Sequence, residues 1–302
     1  MSGQRISSSA RLSLREMFPK ATEEQLKALN EGTPVPPSPE WLAANASGEA
    51  QSGAALSSHG EVEPPMVSCV MIFSDPKRLR VARKAVNQFV AQTYERKQLV
   101  IVNATDQAVT NVPYSAIKEV RIDDRNPSLG AMRNKGLSLA DGDWIKQWDD
   151  DDVYDPLLLA YQMGCRKPGH ATLLTHQIRI HTSRAIAYLH RQPEGIAGTI
   201  LHPKMDGLQY PDISLGEDRA FWISHFATKT HIVNNHAYPA SVMQMAAYHG
   251  RNVMPVEQFM VDHHAPNMDG VIELPELEGD YLKRRLVEFG LEMKPAVVGS
   301  PE

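Results

Sequence analysis

The clearest hydrophobic feature of the chain is the apolar run VSCVMIF, which begins at Val67. An apolar run of this length without alternation is typical of a strand buried on both faces of a parallel sheet. Asp75 and Pro76 follow as a helix N-cap and first helical residue, and apolar residues at helical spacing continue to about Gln92. A second apolar run at 99–102 completes a strand, helix, strand unit, which predicts a right-handed parallel crossover.

The alternation continues downstream. KEVRI at 118–122 predicts a third strand, residues 130–140 predict a helix, and WIKQW at 144–148 predicts a fourth strand. This order indicates an α/β fold with a doubly wound, mostly parallel central sheet and flanking helices, whose ligands bind beyond the carboxyl ends of the strands. The polar residues at those ends are Ser74, Asp75, Asn103, Asp106 and the four aspartates Asp149, Asp150, Asp151 and Asp152.

Three regions of the chain differ in composition. Residues 1–65 are rich in Pro, Ser, Ala, Gly and Glu after Gly32, which predicts one short helix and a flexible linker or partner-docking arm. Residues 66–270 carry the strand and helix pattern and form the predicted globular domain. Residues 271–302 predict a C-terminal helical tail.

Composition narrows the function classes. The chain has 302 residues, 42% of them hydrophobic, and 31 basic against 36 acidic residues, a net charge of −5 that gives no support to a general polyanion binder. Its two cysteines, Cys69 and Cys165, cannot build a disulfide framework or a zinc site. Because no apolar stretch could cross a bilayer and no leader pattern is visible, we expect a cytoplasmic protein without membrane insertion.

Four consecutive aspartates, which follow the fourth predicted strand, are the most informative feature. Adjacent carboxylates repel one another, so a cation is expected beside them. In an extended segment Asp149 and Asp151 share a face and could bind one ion, and oxygen ligands suit Mg²⁺ or Mn²⁺. The alternative is a solvated acidic turn before the helix that begins near Pro156, with Asp155 as its N-cap.

The block DRNPSLGAMRNKGLSLADGDWIKQWDDDDVYDP resembles the central block of glycosyltransferase family 2, whose members have the GT-A fold. The resemblance extends back to Val67 and forward to SLGEDRAFW at 214–222. It implies a GT-A-like sheet with a smaller acceptor-side subregion, and a divalent Mn²⁺ or Mg²⁺ ion on the diphosphate of a nucleotide-sugar. The residues implied as metal ligands are Asp149, Asp151 and Asp152, and those predicted to contact the nucleotide-sugar are Ser74, Asp75, Asn103, Asp106, Arg133, Asn134, Asp149 and Asp150.

The resemblance also implies a catalytic base. Glu217 and Asp218 are similar to the family's Glu-Asp pair, in which the Asp removes the acceptor proton, and a single displacement by that base inverts the anomeric configuration. The polar segment VDHHAPNMDG resembles the family's late His-containing segment, so His263 or His264 is expected at the metal or the phosphate. Arg133 could hold a phosphate, or form a structural ion pair with the aspartates.

Three departures from the family pattern affect these expectations. The usual Tyr-Asn after the first strand is Ser74-Asp75 here. The Asp that commonly pairs with the nucleobase falls on Asn103, which has a donor where a carboxylate has none. The fourth strand carries Lys146 where apolar residues are commoner, which indicates either a buried lysine beside a carboxylate or a less covered strand.

The sequence therefore predicts an inverting, metal-dependent transfer of a single sugar from a nucleotide-diphosphate-sugar. The acceptor is open between a DNA base, a protein and a glycan. Two rival functions are a sugar-1-phosphate nucleotidyltransferase and a non-catalytic, metal-dependent carbohydrate-binding protein. The nucleotidyltransferase is disfavoured because FSDPKRLR lacks the glycine-rich loop that cradles a triphosphate.

Overall fold

The computed structural model describes residues 63–110, 114–124, 126–181, 186–235, 243–250, 252 and 271–273. The predictions made for residues 1–62, for His263 and His264, and for the tail beyond residue 273 lie outside these ranges. The division into three regions therefore stays a prediction.

The described chain forms two sheets with four α-helices. The strands are β1 (Val67–Phe73), β2 (Lys97–Asn103), β3 (Ile117–Arg121), β4 (Trp144–Gln147), β5 (Val153–Tyr154), β6 (Ala171–Leu174), β7 (His176–His181), β8 (Ile186–Arg191), β9 (Leu201–Pro203), β10 (Thr230–Val233), β11 (Gln244–Tyr248) and β12 (Val271–Glu273). The helices are α1 (Leu79–Val90), α2 (Leu129–Leu139), α3 (Leu158–Cys165) and α4 (Glu217–Phe226).

The central sheet has seven strands in the order β10-β6-β9-β4-β1-β2-β3. The pairs β1–β2, β1–β4, β2–β3 and β6–β10 are parallel, and only β9 runs antiparallel to its neighbours β4 and β6. The predicted α/β class with a largely parallel sheet and flanking helices is confirmed. The parallel order brings the carboxyl ends of β1, β2 and β4 to one edge.

Strand β1 is buried along its whole length because helices cover both faces of the sheet. Met71 and its odd-numbered neighbours pack in one core cluster with Phe89 of α1. Val70 and Ile72 pack on the other face, Ile72 together with Met132 of α2. The continuous apolar run of the sequence is thus explained by this two-sided cover.

The helix predicted after β1 begins with a turn of 3-10 helix, Pro76–Arg78, before α1. Asp75 caps this turn, since its carboxylate accepts a hydrogen bond from the Lys77 backbone N–H at 2.9 Å. The predicted roles of Asp75 as N-cap and of Pro76 as first residue are confirmed. The 3-10 turn fixes the direction in which Arg78 leaves the sheet.

A second sheet of five strands, in the order β12-β8-β7-β11-β5, lies beyond the aspartates. Strands β7 and β8 pair antiparallel within it. Strand β5 follows the aspartates directly and pairs with β11, and β12 adds residues 271–273 to β8. Within the described residues, none of the helices is long and apolar enough to span a membrane.

Candidate active site

Arg133, on α2, connects two acidic segments that are distant in the sequence. Its Nη2 lies 3.0 Å from Asp149 Oδ1, and its Nε donates to Glu217 Oε1 at 3.0 Å. Burial lowers the pKa of Arg133, but the charges of Asp149 and Glu217 outweigh this and raise the pKa above its ordinary value. The guanidinium therefore stays charged and fixes the aspartates after β4 beside the first turn of α4.

Two close approaches set the position of α2. A Cβ on Gly136 would lie 2.2 Å from Val70 Cγ1, and a Cβ on Gly130 would lie 1.8 Å from the carbonyl oxygen of Pro211. A side chain at either position would push the helix away from β1 or from the segment that leads to α4. The glycines of the GAMRNKG stretch thus allow Arg133 to reach both of its carboxylate partners.

Asn134 holds this arrangement from the other side of α2. Its Nδ2 donates to the carbonyl oxygen of Tyr210 at 2.9 Å, and its Oδ1 accepts from the Tyr210 N–H at 2.7 Å. The ring of Tyr210 stacks on Phe221 of α4, with 3.9 Å between ring centroids. Asn134 therefore positions the segment before α4, and its amide is engaged by the backbone rather than turned to a ligand.

Asp151 accepts three contacts on one oxygen. Arg78 Nη1 lies 2.8 Å, His249 Nε2 3.1 Å and Asn252 Nδ2 3.3 Å from Asp151 Oδ2. Burial raises the pKa of Asp151, but the hydrogen bond from His249 and the charge of Arg78 outweigh it, so the pKa is lowered. Asp151 is thus held as a carboxylate at the junction of the two sheets.

Asp150 shares Arg78 with Asp151, whereas Asp152 has a different partner. Asp150 Oδ1 lies 3.2 Å from Arg78 Nη2, and Asp152 Oδ2 accepts from Gln244 Nε2 at 3.1 Å. Burial raises the pKa of both carboxyl groups well above their ordinary value, and the charges of the neighbouring aspartates add to the rise. The four aspartates thus have three main partners: Arg133 for Asp149, Arg78 for Asp150 and Asp151, and Gln244 for Asp152.

The burial of the aspartates decides between the two interpretations of this segment, a ligand-binding site and a solvated acidic turn. Asp150 is 3%, Asp151 8% and Asp152 7% exposed. The turn is closed by Tyr154, whose hydroxyl oxygen accepts a hydrogen bond from the Asp149 N–H at 2.6 Å. The alternative of a solvated acidic turn is therefore wrong. Asp155 does cap the turn that leads into α3, since its carboxylate accepts from the Leu157 N–H at 2.9 Å, and α3 itself begins at Leu158.

Lys146 is fully buried in the central sheet. Its Nζ donates to the Thr199 carbonyl oxygen and to Gln244 Oε1, both at 3.0 Å. Burial lowers the pKa of Lys146 to about 8. Gln244 also donates to Asp152, so it links the lysine to the carboxylate without a direct ion pair.

Asp218 lies on the first turn of α4, next to Glu217. Its Oδ2 faces Gly198, where a Cβ would lie 3.9 Å from this oxygen and 3.8 Å from Gln147 Nε2. Gln147 in turn donates to Asp149 Oδ2 at 3.0 Å. Burial, and next the charge of Glu217, raise the pKa of Asp218. An elevated pKa beside polar side chains suits a general base.

The polar residues after β1 and β2 are not part of the site that Arg133, the four aspartates and Asp218 form. Ser74 is exposed, Asp75 caps the 3-10 turn, and the side chain of Asp106 is exposed. Asn103 is 1% exposed. It donates to the Gln107 carbonyl oxygen and to Glu119, and its Oδ1 accepts twice from Thr105. The amide of Asn103 has no free donor or acceptor, so the predicted base contact is corrected to a structural role in the loop after β2.

The three carboxylates predicted as metal ligands, Asp149, Asp151 and Asp152, do not converge on one point in the structure. Across the described part of the chain, no three His, Cys, Asp or Glu side chains converge as metal ligands. Asp149 is engaged by Arg133 and Asp152 by Gln244, which leaves Asp151 with His249. His263 and His264 lie outside the described residues.

Sequence reasoning missed Arg78, His249 and Gln244. The strand order supplies the reason, because β1 and β4 are adjacent and β11 follows β7 in the second sheet. The predicted crossover places Arg78 after β1 at the ligand edge, but its pairing with Asp151 depends on β1 and β4 being neighbours. No local motif distinguishes His249 among the 12 histidines of the chain.

Residues 77–164 match the family model described as glycosyl transferase family 2. The matched segment contains Arg78, Arg133 and the four aspartates. No protein with a curated description matches the sequence.

Among solved structures, the chain is similar to S. aureus TarS 1–349 in complex with UDP, with 13% identity over 74% of this chain and 72% of that chain and a TM-score of 0.47. The structure of S. aureus TarS 1–349 gives 11% identity over 60% of each chain and a TM-score of 0.45, so this chain spans 60% of its length. The mannosyltransferase PcManGT from Pyrobaculum calidifontis, in complex with GDP-Man and Mn²⁺, gives 12% identity over 70% of this chain and 65% of that chain and a TM-score of 0.44.

Likenesses this remote do not assign a substrate or a mechanism. The family match is more specific, because it falls on the segment that carries the arginine and the aspartates of the candidate site. Over residues 77–164, the chain is thus similar to glycosyl transferase family 2.

Proposed function

We propose that the protein transfers a single sugar from a nucleotide-diphosphate-sugar to an acceptor hydroxyl or amine, with inversion at the anomeric carbon. One observation carries this proposal: Arg133 connects Asp149 to Glu217 at 3.0 Å on each side. It brings the aspartates after β4 and the Glu217–Asp218 pair into one site. A direct displacement needs a stabilised leaving group and a base that takes the proton of the acceptor.

The donor is proposed to bind at the ligand edge of the central sheet. The carboxyl ends of β1 and β4 are adjacent there, as expected for a nucleotide site in a parallel α/β sheet. Asp149 is the most accessible of the four aspartates, with 25% of its side chain exposed. Its carboxylate and Gln147 can hydrogen-bond sugar hydroxyls of the donor, while Arg133 keeps Asp149 in place.

The donor set around Asp151 fits a divalent ion held by few side chains. Asp151 Oδ2 and His249 Nε2 lie 3.1 Å apart, which is about the separation of neighbouring ligands around an ion with ligands at about 2.1 Å. A carboxylate and an imidazole suit Mn²⁺, with water and phosphate as the other ligands. Bound there, such an ion would neutralise charge on the diphosphate leaving group as a Lewis acid.

Asp218 is the proposed base. It takes the acceptor proton as the acceptor attacks the anomeric carbon, and the diphosphate leaves with the bonding electrons from the opposite face. Glu217 does not share this task, because its side chain is 6% exposed and its carboxylate accepts from Arg133. Glu217 therefore orients the start of α4, and Asp218 Oδ2 faces Gly198.

The test is a product assay with a panel of nucleotide-sugars and Mn²⁺. A thermal-shift screen first selects the donor, because a ligand that binds only the folded state raises its melting temperature. Release of nucleoside diphosphate from that donor supports a transferase. Release of pyrophosphate from a sugar-1-phosphate and a nucleoside triphosphate indicates a nucleotidyltransferase, and sugar binding without turnover indicates a carbohydrate-binding protein.

The stereochemical part of the proposal needs its own readout. Nuclear magnetic resonance of the first product, before mutarotation or exchange, reports its anomeric configuration. A configuration opposite to that of the donor is expected. Retention would overturn Asp218 as the base of a single displacement.

A further inference from the structure

Arg78 occupies a position that its helix does not favour. It ends the 3-10 turn Pro76–Arg78 and directly precedes α1. A positive charge at a helix N-terminus is opposed by the helix dipole. The side chain is nevertheless 11% exposed and extends to the aspartates after β4. The carboxylates, rather than the helix, therefore hold this guanidinium.

The pairing of Arg78 with the aspartates is incomplete. Its two terminal nitrogens lie 2.8 Å from Asp151 Oδ2 and 3.2 Å from Asp150 Oδ1. Arg78 Nε and Asp150 Oδ2 are both buried, and neither has a hydrogen-bond partner. A buried donor and a buried acceptor that stay unpaired reduce the net stabilisation that this ion pair provides. The guanidinium is thus a partner that another cation can replace.

Asp151 Oδ2 has no room for a further partner. It already takes Arg78, His249 and Asn252, whereas a carboxylate oxygen offers about two lone-pair directions. A divalent ion that binds this oxygen must displace one of the three. His249 can remain as a ligand and Asn252 is neutral, but the positive charge of Arg78 repels the ion.

We propose that Arg78 is a built-in counter-cation of Asp150 and Asp151 and competes with the divalent ion for Asp151 Oδ2. This rests on the proposed function, which assigns the ion to Asp151 and His249. Arg78 lowers the affinity of the free protein for the ion, and the negative diphosphate of the donor offsets that loss. The ion therefore binds weakly alone and tightly together with the donor.

The experiment measures Mn²⁺ binding to the full chain without nucleotide, from the electron paramagnetic resonance signal of free Mn²⁺. Arg78→Gln is expected to bind Mn²⁺ about tenfold more tightly than the unaltered protein, a change of about 1.4 kcal/mol. Lys77→Gln removes one positive charge from the neighbouring exposed residue and is expected to change the affinity less than about twofold, because an exposed charge is screened.

Two further variants separate the possible failures. Arg78→Lys keeps one charge but cannot bridge two carboxylates, and its Mn²⁺ affinity is expected between those of Arg78→Gln and the unaltered protein. Asp151→Asn is expected to abolish Mn²⁺ binding. If Asp151→Asn binds Mn²⁺ normally, the metal assignment of the proposed function fails. If Asp151→Asn loses Mn²⁺ but Arg78→Gln and Arg78→Lys bind it no more tightly than the unaltered protein, the competition is overturned.

Discussion

Arg133 Nη2 lies 3.0 Å from Asp149 Oδ1, across the gap between α2 and the end of β4. The same guanidinium reaches Glu217 at 3.0 Å, so one buried cation organises both acidic segments. Of the two roles that the sequence leaves open for Arg133, a phosphate contact and a structural ion pair, the structure contains the ion pair. It extends to Glu217, which the sequence does not predict.

Replacing Arg133 by Gln should be destabilising. The change leaves the buried Glu217 carboxylate without its partner, and breaking a buried pair in this way costs about 3–5 kcal/mol of unfolding free energy. Urea unfolding of the two proteins measures the difference. Lys135→Gln, an exposed site on the same helix, should change the unfolding free energy by less than about 0.5 kcal/mol. Equal losses in both variants would contradict the bridging role.

The contact between α2 and β1 can be tested by a paired substitution. Gly136→Ala places a methyl group against Val70, and overpacking of this kind costs about 1–3 kcal/mol. Val70→Ala removes both γ-methyl groups, including the Cγ1 methyl that is in the way, so the double variant should recover part of the loss. The coupling energy from a double-mutant cycle is the measurement. Simple additivity of the two losses would show that the helix does not depend on this approach.

Asp218→Asn should separate binding from transfer. An amide cannot accept the acceptor proton, so transfer should fall by about 10²-fold or more, while the thermal shift with the donor should be retained. Asp206→Asn, on an exposed turn, is the control and should keep full transfer. Full transfer by Asp218→Asn would contradict the assignment of Asp218 as the base.

The pH dependence of transfer gives an independent view of the same residue. Because burial and Glu217 raise the pKa of Asp218, the base is protonated at a higher pH than an ordinary aspartate, whose pKa is about 3.9. The rate of transfer should therefore fall on the acidic side at a pH above that value. A rate that stays constant down to the ordinary range would contradict this environment.

Lys146 should make the stability depend on pH in a defined window. Its pKa is lowered to about 8 in the folded state, against about 10.4 in an unfolded chain. The unfolded state binds more protons above pH 8, so stability should rise with pH from there. The raised pKa of the buried Cys69 opposes this above about pH 9. Lys146→Met should flatten the rise in unfolding free energy between pH 8 and 9, measured by urea unfolding; an unchanged rise would assign it to another group.

The central crossover could be predicted from the sequence because its information is local. The apolar run of β1 and the Asp75–Pro76 start of the next helix are each encoded within a few residues, and both are present in the structure. The aspartates at the end of β4 are likewise found at the expected edge. Local patterns of burial and capping thus fix this part of the fold.

The partners of the aspartates could not be predicted, because they depend on strand order and on contacts distant in sequence. Arg78 reaches Asp151 only because β1 and β4 are neighbours, and His249 reaches it from the second sheet. The internal engagement of Asn103 depends on Glu119, on the neighbouring strand β3. Each of these contacts joins residues that no short motif relates.

The most direct test of the central claim is a calorimetric titration of Mn²⁺ into the protein with the selected nucleotide-sugar present. We predict uptake of one ion per chain by the unaltered protein and its loss in Asp151→Asn. Absence of Mn²⁺ and Mg²⁺ uptake by the unaltered protein, with or without the donor, would contradict the account of a metal-assisted sugar transfer at the aspartates.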